Sequence, residues 1–307
     1  MTKLFDIINI PLSYVLRFFS NILGGNFAAA VFLFTLLINI VFIPLSIKSQ
    51  KSTVQQTRLK PKLDDLKKRY GDDRQKYSEA TQKLYQEEGV SMSGGCLPMI
   101  LRLVLMMSIY YLITKPLSYL MSIKGSIIDE AAKALELQTT RTAYQLKIIE
   151  AVQNGTYKSA EIKSGLANID FKLFGIDLTQ TPKFNIDIFH HAQLIWLIPI
   201  CAFLAQMLTS VISMMIQKKN NPEAPTMAGM LLTMPLISLF IGFGLPGGVG
   251  FYWICSSLIG GLVQSAVQIF YGPHKMLAKE RSKELLKQLD FEKKQIEKLG
   301  KDKTEEV

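Results

Sequence analysis

Apolar residues along this chain gather into long unbroken runs, and the charged residues gather between them. Five runs stand out: 27–47, 96–114, 192–216, 227–245 and 249–271. Each is close to the roughly 20 residues that a helix needs to cross a hydrocarbon core about 30 Å thick. Runs 1, 3, 4 and 5 hold no Asp, Glu, Lys, Arg or His, and run 2 holds a single one, Arg102. The pattern predicts an all-α membrane protein with five transmembrane helices.

Between runs 1 and 2 the pattern turns polar. Residues 50–69, QKSTVQQTRLKPKLDDLKKR, keep only Val54, Leu59, Leu63 and Leu66 at helical spacings, and YGDDRQ marks a turn. Residues 73–89 resume a helical pattern through Tyr77, Ala80, Leu84 and Tyr85. Segment 48–95 is therefore expected to be a mobile helical hairpin with little core, a solvated charged linker being the plainer alternative. Loop 115–191 carries a helical pattern from about 126 to 153 that ends at Asn154-Gly155. Next comes FKLFGIDLTQTP, expected as a turn resting on the membrane interface. Residues 1–26 are apolar but broken by Asp6, Pro11 and Arg17. They predict an amphipathic helix lying in the interface, with a simple lead-in to span 1 as the alternative. No small-residue cleavage site follows, so a cleaved signal peptide is not expected.

Charge sets the expected topology. Segment 48–95 has eleven Lys/Arg, the loop 217–226 has Lys218 and Lys219, and the tail 272–307 has ten, within a net charge of +10. These segments follow spans 1, 3 and 5, so they share one side, which Lys/Arg excess marks as cytoplasmic. The N-terminus, loop 115–191 and the turn at Pro246-Gly247-Gly248 fall outside. Ten basic and eight acidic residues in the tail fit a solvated segment and a contact for lipid headgroups or ribosomal RNA equally well.

Candidate chemistry is sparse. Cys96, Cys201 and Cys255 lie in or beside spans without metal-like spacing, and read as small apolar residues. His190 and His191 have no cysteine and only one carboxylate, Asp187, close by in the chain, so no metal is expected. No G-x-x-x-x-G-K phosphate loop occurs, so no nucleotide cofactor is expected. No span carries Asp, Glu or His, which argues against an intramembrane protease. A channel or small anionic-solute transporter using Arg102 is the alternative, though an odd span count without a visible repeat speaks against transport. Arg102 stays charged wherever it sits. Its plain reading is a side chain snorkelling to the headgroups; its functional reading is a charge inside a hydrated cavity. Thr35, Asn39 and Ser46 in span 1, and Ser256, Ser257, Gln264 and Gln268 in span 5, offer polar groups to such a cavity. Span 3 offers Gln206, Thr209, Ser210 and Ser213, but a lone Ser or Thr more often bonds its own backbone. Spans 1, 2 and 5 are therefore the expected walls.

Taken in order, FIPLSIKSQKS, LKPKLDDLKKRYGDD, LYQEEGVSMSGGCLPM, DLTQTP and LPGGVGFYW between five spans resemble the YidC-type membrane protein insertases, relatives of the Oxa and Alb insertases. The chain looks like the short form of Gram-positive bacteria, without a large extra outer domain. The resemblance implies five helices around a polar groove open to the cytoplasm and lipid and closed outside. It implies a bacterial plasma-membrane protein that passes nascent membrane proteins into the bilayer, with the ribosome and the Sec translocon as candidate partners. It also implies a groove arginine, usually borne by span 1. Here Asn39, four residues after Thr35, stands at that place, and Arg102 stands where span 2 commonly has glutamine. At 1.5 Å per residue, Asn39 lies roughly 12 Å from Ile47 and Arg102 roughly 9 Å from Cys96, so one can replace the other in depth. The expected groove residues are Arg102, Asn39, Thr35, Ser257 and Gln264.

Overall fold

The computed structural model describes residues 2–90, 97–140, 143–182, 193–220, 228–272, 282 and 285–293. Cys96, His190, His191, most of the tail and the side chain of Arg102 lie outside the described part. Each apolar run folds as helix, because in lipid the backbone has to satisfy its own hydrogen bonds. Run 1 forms α2 (Phe27–Val41), and run 2 forms α5 (Leu97–Thr114). Run 3 forms a 3-10 turn (Leu194–Trp196) leading into α10 (Leu197–Asn220). Runs 4 and 5 form α11 (Ala228–Gly242) and α12 (Gly247–Phe270).

Among the described residues, Leu194–Lys219 and Gly247–Phe270 are each long and apolar enough to cross a membrane. A third candidate arises if α2 and the helix after it count as one broken span. Runs 2 and 4 supply shorter apolar helices, Leu103–Thr114 and Thr233–Gly242. The break falls at Phe42, between α2 and α3 (Ile43–Tyr70). Pro44 has no N–H to return to the carbonyl of Ile40, so the ladder loses that bond where the two helices bend by 48°. Large apolar side chains such as Leu204, Leu208, Phe240 and Leu262 are exposed on the outward helix faces, the reverse of a water-soluble exterior.

The chain divides into two compact units. The first comprises Met1–Leu45, Cys96–Met215 and Pro225–Ser265. Its main core gathers Phe27, Val31 and Phe34 of α2, Ile109, Leu112 and Ile113 of α5, and Trp196, Ile198 and Tyr252. α1 (Thr2–Ile22) lies against this core through Leu16, with Leu12, Val15 and Phe19 partly buried, and its remaining described apolar residues face outward. Asn9, Ser13 and Ser20 are buried while Ile7, Tyr14, Phe18 and Ile22 are exposed. That distribution suits a helix whose outer surroundings are apolar.

Where one helix is expected over about 126–153, there are two, α7 (Gly125–Ala134) and α8 (Tyr144–Gln153). α7 ends in a left-handed residue, Glu136 (φ 52°), with Leu137 N–H donating to Ala132 O and Glu136 N–H to Lys133 O. This is a Schellman ending, and glutamate at its left-handed position gives no sequence signal. The break lets α8 fold back, so that Ile148 and Ile149 pack with Ile128, Ala131 and Ala132 and with Ile162 of α9 (Ala160–Ala167) in a second core. Burying an aliphatic side chain fully contributes about 1.5–3 kcal/mol, which a straight helix would forgo here. The α8 end at Asn154-Gly155 falls where the pattern places it, with Gly155 at φ 76°. FKLFGIDL is a minimal antiparallel hairpin, β1 (Lys172–Leu173) and β2 (Ile176–Asp177). Both turn residues have positive φ, Phe174 at 48° and Gly175 at 83°, as a type I′ turn requires. Phe174 stands at its tip, 95% exposed.

The second unit comprises Ser46–Gly95, Ile216–Ala224 and Ala266–Val307. In it α3 and α4 (Arg74–Glu87) form the expected pair of hairpin helices. Asp73 caps α4, its Oδ1 accepting from Gln75 N–H at 3.2 Å and Lys76 N–H at 3.1 Å. Lys62 of α3 pairs with Glu88 at the end of α4. Val54 and Leu59 are buried, whereas α4 buries no side chain completely. Both carboxylates are held below their ordinary values. For Asp73 the first cause is the Lys76 backbone N–H, and for Glu88 it is the hydrogen bond from Lys62.

Candidate functional site

α12 carries Ser256, Ser257, Gly260, Gly261 and Gln264 at spacings that put them on one helical face. That face borders a cavity of about 500 Å³ within the first unit. α2 contributes Thr35, Ile38 and Asn39, and α5 contributes Leu105 and Met106. α10 contributes Gln206, Thr209, Ser210 and Ser213, again one helical face, and α11 contributes Ser238. Among the described lining residues none is charged.

The polar groups are anchored. Thr35 Oγ1 donates to Val31 O at 2.7 Å, and Asn39 Nδ2 donates to Thr35 O at 2.8 Å. These bonds leave Asn39 Oδ1 beside Gly260, close to where a Cβ would stand on that residue. Ser238 Oγ donates to Gln206 Oε1 at 2.6 Å, joining α11 to α10 across the cavity wall. Thr209 Oγ1 donates to Ala205 O and Gln206 O, both at 3.0 Å. Gly261 lets α12 approach α10 closely: a Cβ there would come within 2.3 Å of Thr209 Cγ2.

Along each helix the cavity gives way to apolar packing. On α2 the core residues Phe27, Val31 and Phe34 precede Thr35 and Asn39. On α5 the order is reversed, with Leu105 and Met106 at the cavity and Ile109, Leu112 and Ile113 in the core. One end of the bundle is thus filled with apolar side chains, and the other is hollow and lined largely by polar ones. DLTQTP and LPGGVGFYW meet at the filled end. Gly247 N–H donates to Gln180 O and Gly248 N–H to Leu178 O, both at 2.8 Å, so the hairpin segment supplies acceptors to the start of α12.

Of the expected site residues, Thr35, Asn39, Ser257 and Gln264 all line this cavity. Arg102 lies in α5 one helical turn before Leu105 and Met106, so its backbone is on the face that they share. Ser46 and Gln268 are buried but are not among the lining residues. The wall is wider than the expected spans 1, 2 and 5, since α10 and α11 also contribute to it. Thr209 makes the local backbone bonds expected of it and still faces the cavity. Ser238 went unnoticed in the sequence because its partner, Gln206, is 32 residues away.

The family model described as "60Kd inner membrane protein" matches residues 18–273. The membrane protein insertase YidC 2 of Listeria innocua is 28% identical over 257 residues, covering 81% of this chain and 66% of that protein. The membrane protein insertase YidC of Nitratidesulfovibrio vulgaris is 26% identical over 83% of this chain and 37% of its own length. The insertase of the same name from Cellvibrio japonicus is 40% identical over 103 residues, 34% of this chain and 18% of that protein. The chain thus matches only part of the length of each of these relatives. With the model matched across more than half of its length, this chain belongs to the 60Kd inner membrane protein family, to which its YidC-type character is due.

Proposed function

We propose that this protein is a membrane protein insertase that works without covalent chemistry or nucleotide hydrolysis. Residues 27–271 form its core, with five spans at 27–47, 96–114, 192–216, 227–245 and 249–271. Residues 1–26 lie along the outer interface, hairpin 48–95 and tail 272–307 are cytoplasmic, and loop 115–191 caps the outer side. The N-terminus is outside and the C-terminus inside. The observation that carries this reading is a hollow, polar wall, uncharged among the described residues, on helices whose outward faces are apolar.

A hydrated cavity in one leaflet shortens the hydrocarbon path, so the polar tail of a nascent segment loses less hydration while crossing. The filled end keeps the passage from becoming a pore. Arg102 draws acidic residues of the tail into the cavity, while Asn39, Thr35, Ser257 and Gln264 keep it wet. The segment's apolar surface then partitions into lipid, and that burial drives the step. Nascent membrane proteins are the substrates; hairpin and tail present basic residues to a ribosome, and the Sec translocon is a further partner.

Liposomes containing only this protein test the proposal. A radiolabelled single-span protein inserts in them without nucleotide, and does so better than in empty liposomes. Equal insertion in both, or an absolute need for ATP, contradicts it.

A further inference from the structure

A second cavity, of about 490 Å³, lies between α1, the end of α5, α6 (Pro116–Tyr119) and α8, away from the groove. Its size falls in the range of small-ligand sites. Two cations border it, each held over an aromatic ring. The Arg17 guanidinium lies 4.6 Å from the Tyr14 centroid, and Lys115 Nζ lies 5.3 Å from that of Tyr111. Arg17 also donates to Ser122, and to Ser13 Oγ at 3.2 Å. Its Nε is nonetheless buried without an acceptor.

Opposite stands a chain of hydrogen bonds with a fixed direction. Tyr119 O–H donates to Asp6 Oδ1 at 2.7 Å, so its oxygen accepts from Asn9 Nδ2 at 3.3 Å. Burial lifts the Tyr119 phenol above its ordinary value, which keeps this proton in place at neutral pH. The amide of Asn9 is thereby oriented, and its Oδ1 is left buried without a donor on a residue only 1% exposed. An atom buried without a partner in this way is costly to the fold. The cavity therefore presents two cations, Arg17 and Lys115, against one carboxylate, Asp6.

We infer that this cavity binds the headgroup of an anionic glycerophospholipid of the phosphatidylglycerol kind. The phosphodiester accepts from Arg17 and Lys115, and its single negative charge balances the excess positive one. A glycerol hydroxyl donates to the Asp6 carboxylate on the same wall. A lipid, rather than free phosphate, is favoured because Ile10 and Tyr14 belong both to the cavity wall and to the exposed apolar face of α1. That face continues through Ile7 and Phe18 and provides a bed for acyl chains. The site does not depend on the role of the groove.

Native mass spectrometry of the delipidated full chain in detergent, titrated with phosphatidylglycerol, phosphatidylcholine or glycerol 3-phosphate, tests this. Phosphatidylglycerol is expected to bind about tenfold more tightly than phosphatidylcholine, whose quaternary ammonium cancels the phosphodiester charge beside Arg17 and Lys115 and offers no hydroxyl donor. Lys115→Gln should remove most of that margin, Lys115→Arg should keep it, and Lys133→Gln, exposed on α7, should leave it unchanged. Arg17→Gln should act like Lys115→Gln, but Lys115→Gln is the decisive variant because Arg17 also holds Ser13 and Ser122. Equal binding of the two lipids, or undiminished phosphatidylglycerol binding by Lys115→Gln, overturns the inference. Glycerol 3-phosphate bound as tightly as phosphatidylglycerol also overturns it, in favour of a free-phosphate site.

Discussion

Arg102 and Asn39 carry the account at the scale of single residues. Under the proposed mechanism Arg102→Ala lowers insertion of substrates with acidic outer tails about fivefold, the worth of roughly 1 kcal/mol between charges in a well-hydrated site. Neutral tails should insert nearly as before, and equal loss for both kinds would remove the charge-attraction step. Asn39→Arg combined with Arg102→Gln should restore activity, measured in the same liposomes; a folded but inactive double variant would refute the exchange of positions. That Thr35, Asn39, Ser257 and Gln264 line the cavity could be read from the chain because each is a polar residue in an otherwise apolar run. Their membership of one wall follows from helical spacing. Ser238 was not legible, since a lone serine beside its own helix carbonyls looks the same whether or not Gln206 lies opposite.

At the scale of elements, the close approach of α10 and α12 depends on Gly261. Gly261→Ala places a methyl against Thr209 and should destabilise the folded protein by about 1–3 kcal/mol, the usual cost of overpacking. Thermal unfolding in detergent would measure this, and adding Thr209→Ala should recover part of the loss by removing the clashing Cγ2. The hairpin makes a different prediction. Since Asp73 and Glu88 have lowered folded values, what they add to stability is fully present above their ordinary values. It is lost as pH falls through the lowered ones. A spin-label distance between Lys60 and Gln86 should stay constant from about pH 8 to about pH 5 and broaden only below the ordinary carboxylate range. Lys62→Gln should move the onset upward for the Glu88 part. The helices of the apolar runs and of the hairpin were plain from the pattern, whereas α6 and α9 were not expected and two local boundaries were hidden. The break after α7 rests on Glu136 in a left-handed conformation, and the β1–β2 turn rests on Phe174 in another. Neither residue type announces that backbone.

For the whole molecule, the legible part was the alternation of apolar runs and charged segments, which gives a helical membrane protein directly. The seating of α1 was only half legible. Asp6, Pro11 and Arg17 mark an amphipathic helix, but which face turns inward depends on Tyr119 and on Lys115 and Ser118 beside it, more than 100 residues away. The compact packing of α7, α8 and α9 was likewise hidden, because it depends on a fold-back rather than on any local signal. What unites the molecule in the proposed mechanism is a polar cavity that substrates enter and an apolar surface that they do not need. A photo-crosslinking amino acid at Ser257, compared with one at the lipid-facing Leu262, tests this most directly during arrested insertion of a single-span protein. The account predicts substrate adducts from position 257 and lipid adducts alone from position 262. Substrate adducts from position 262 with none from position 257 would contradict it.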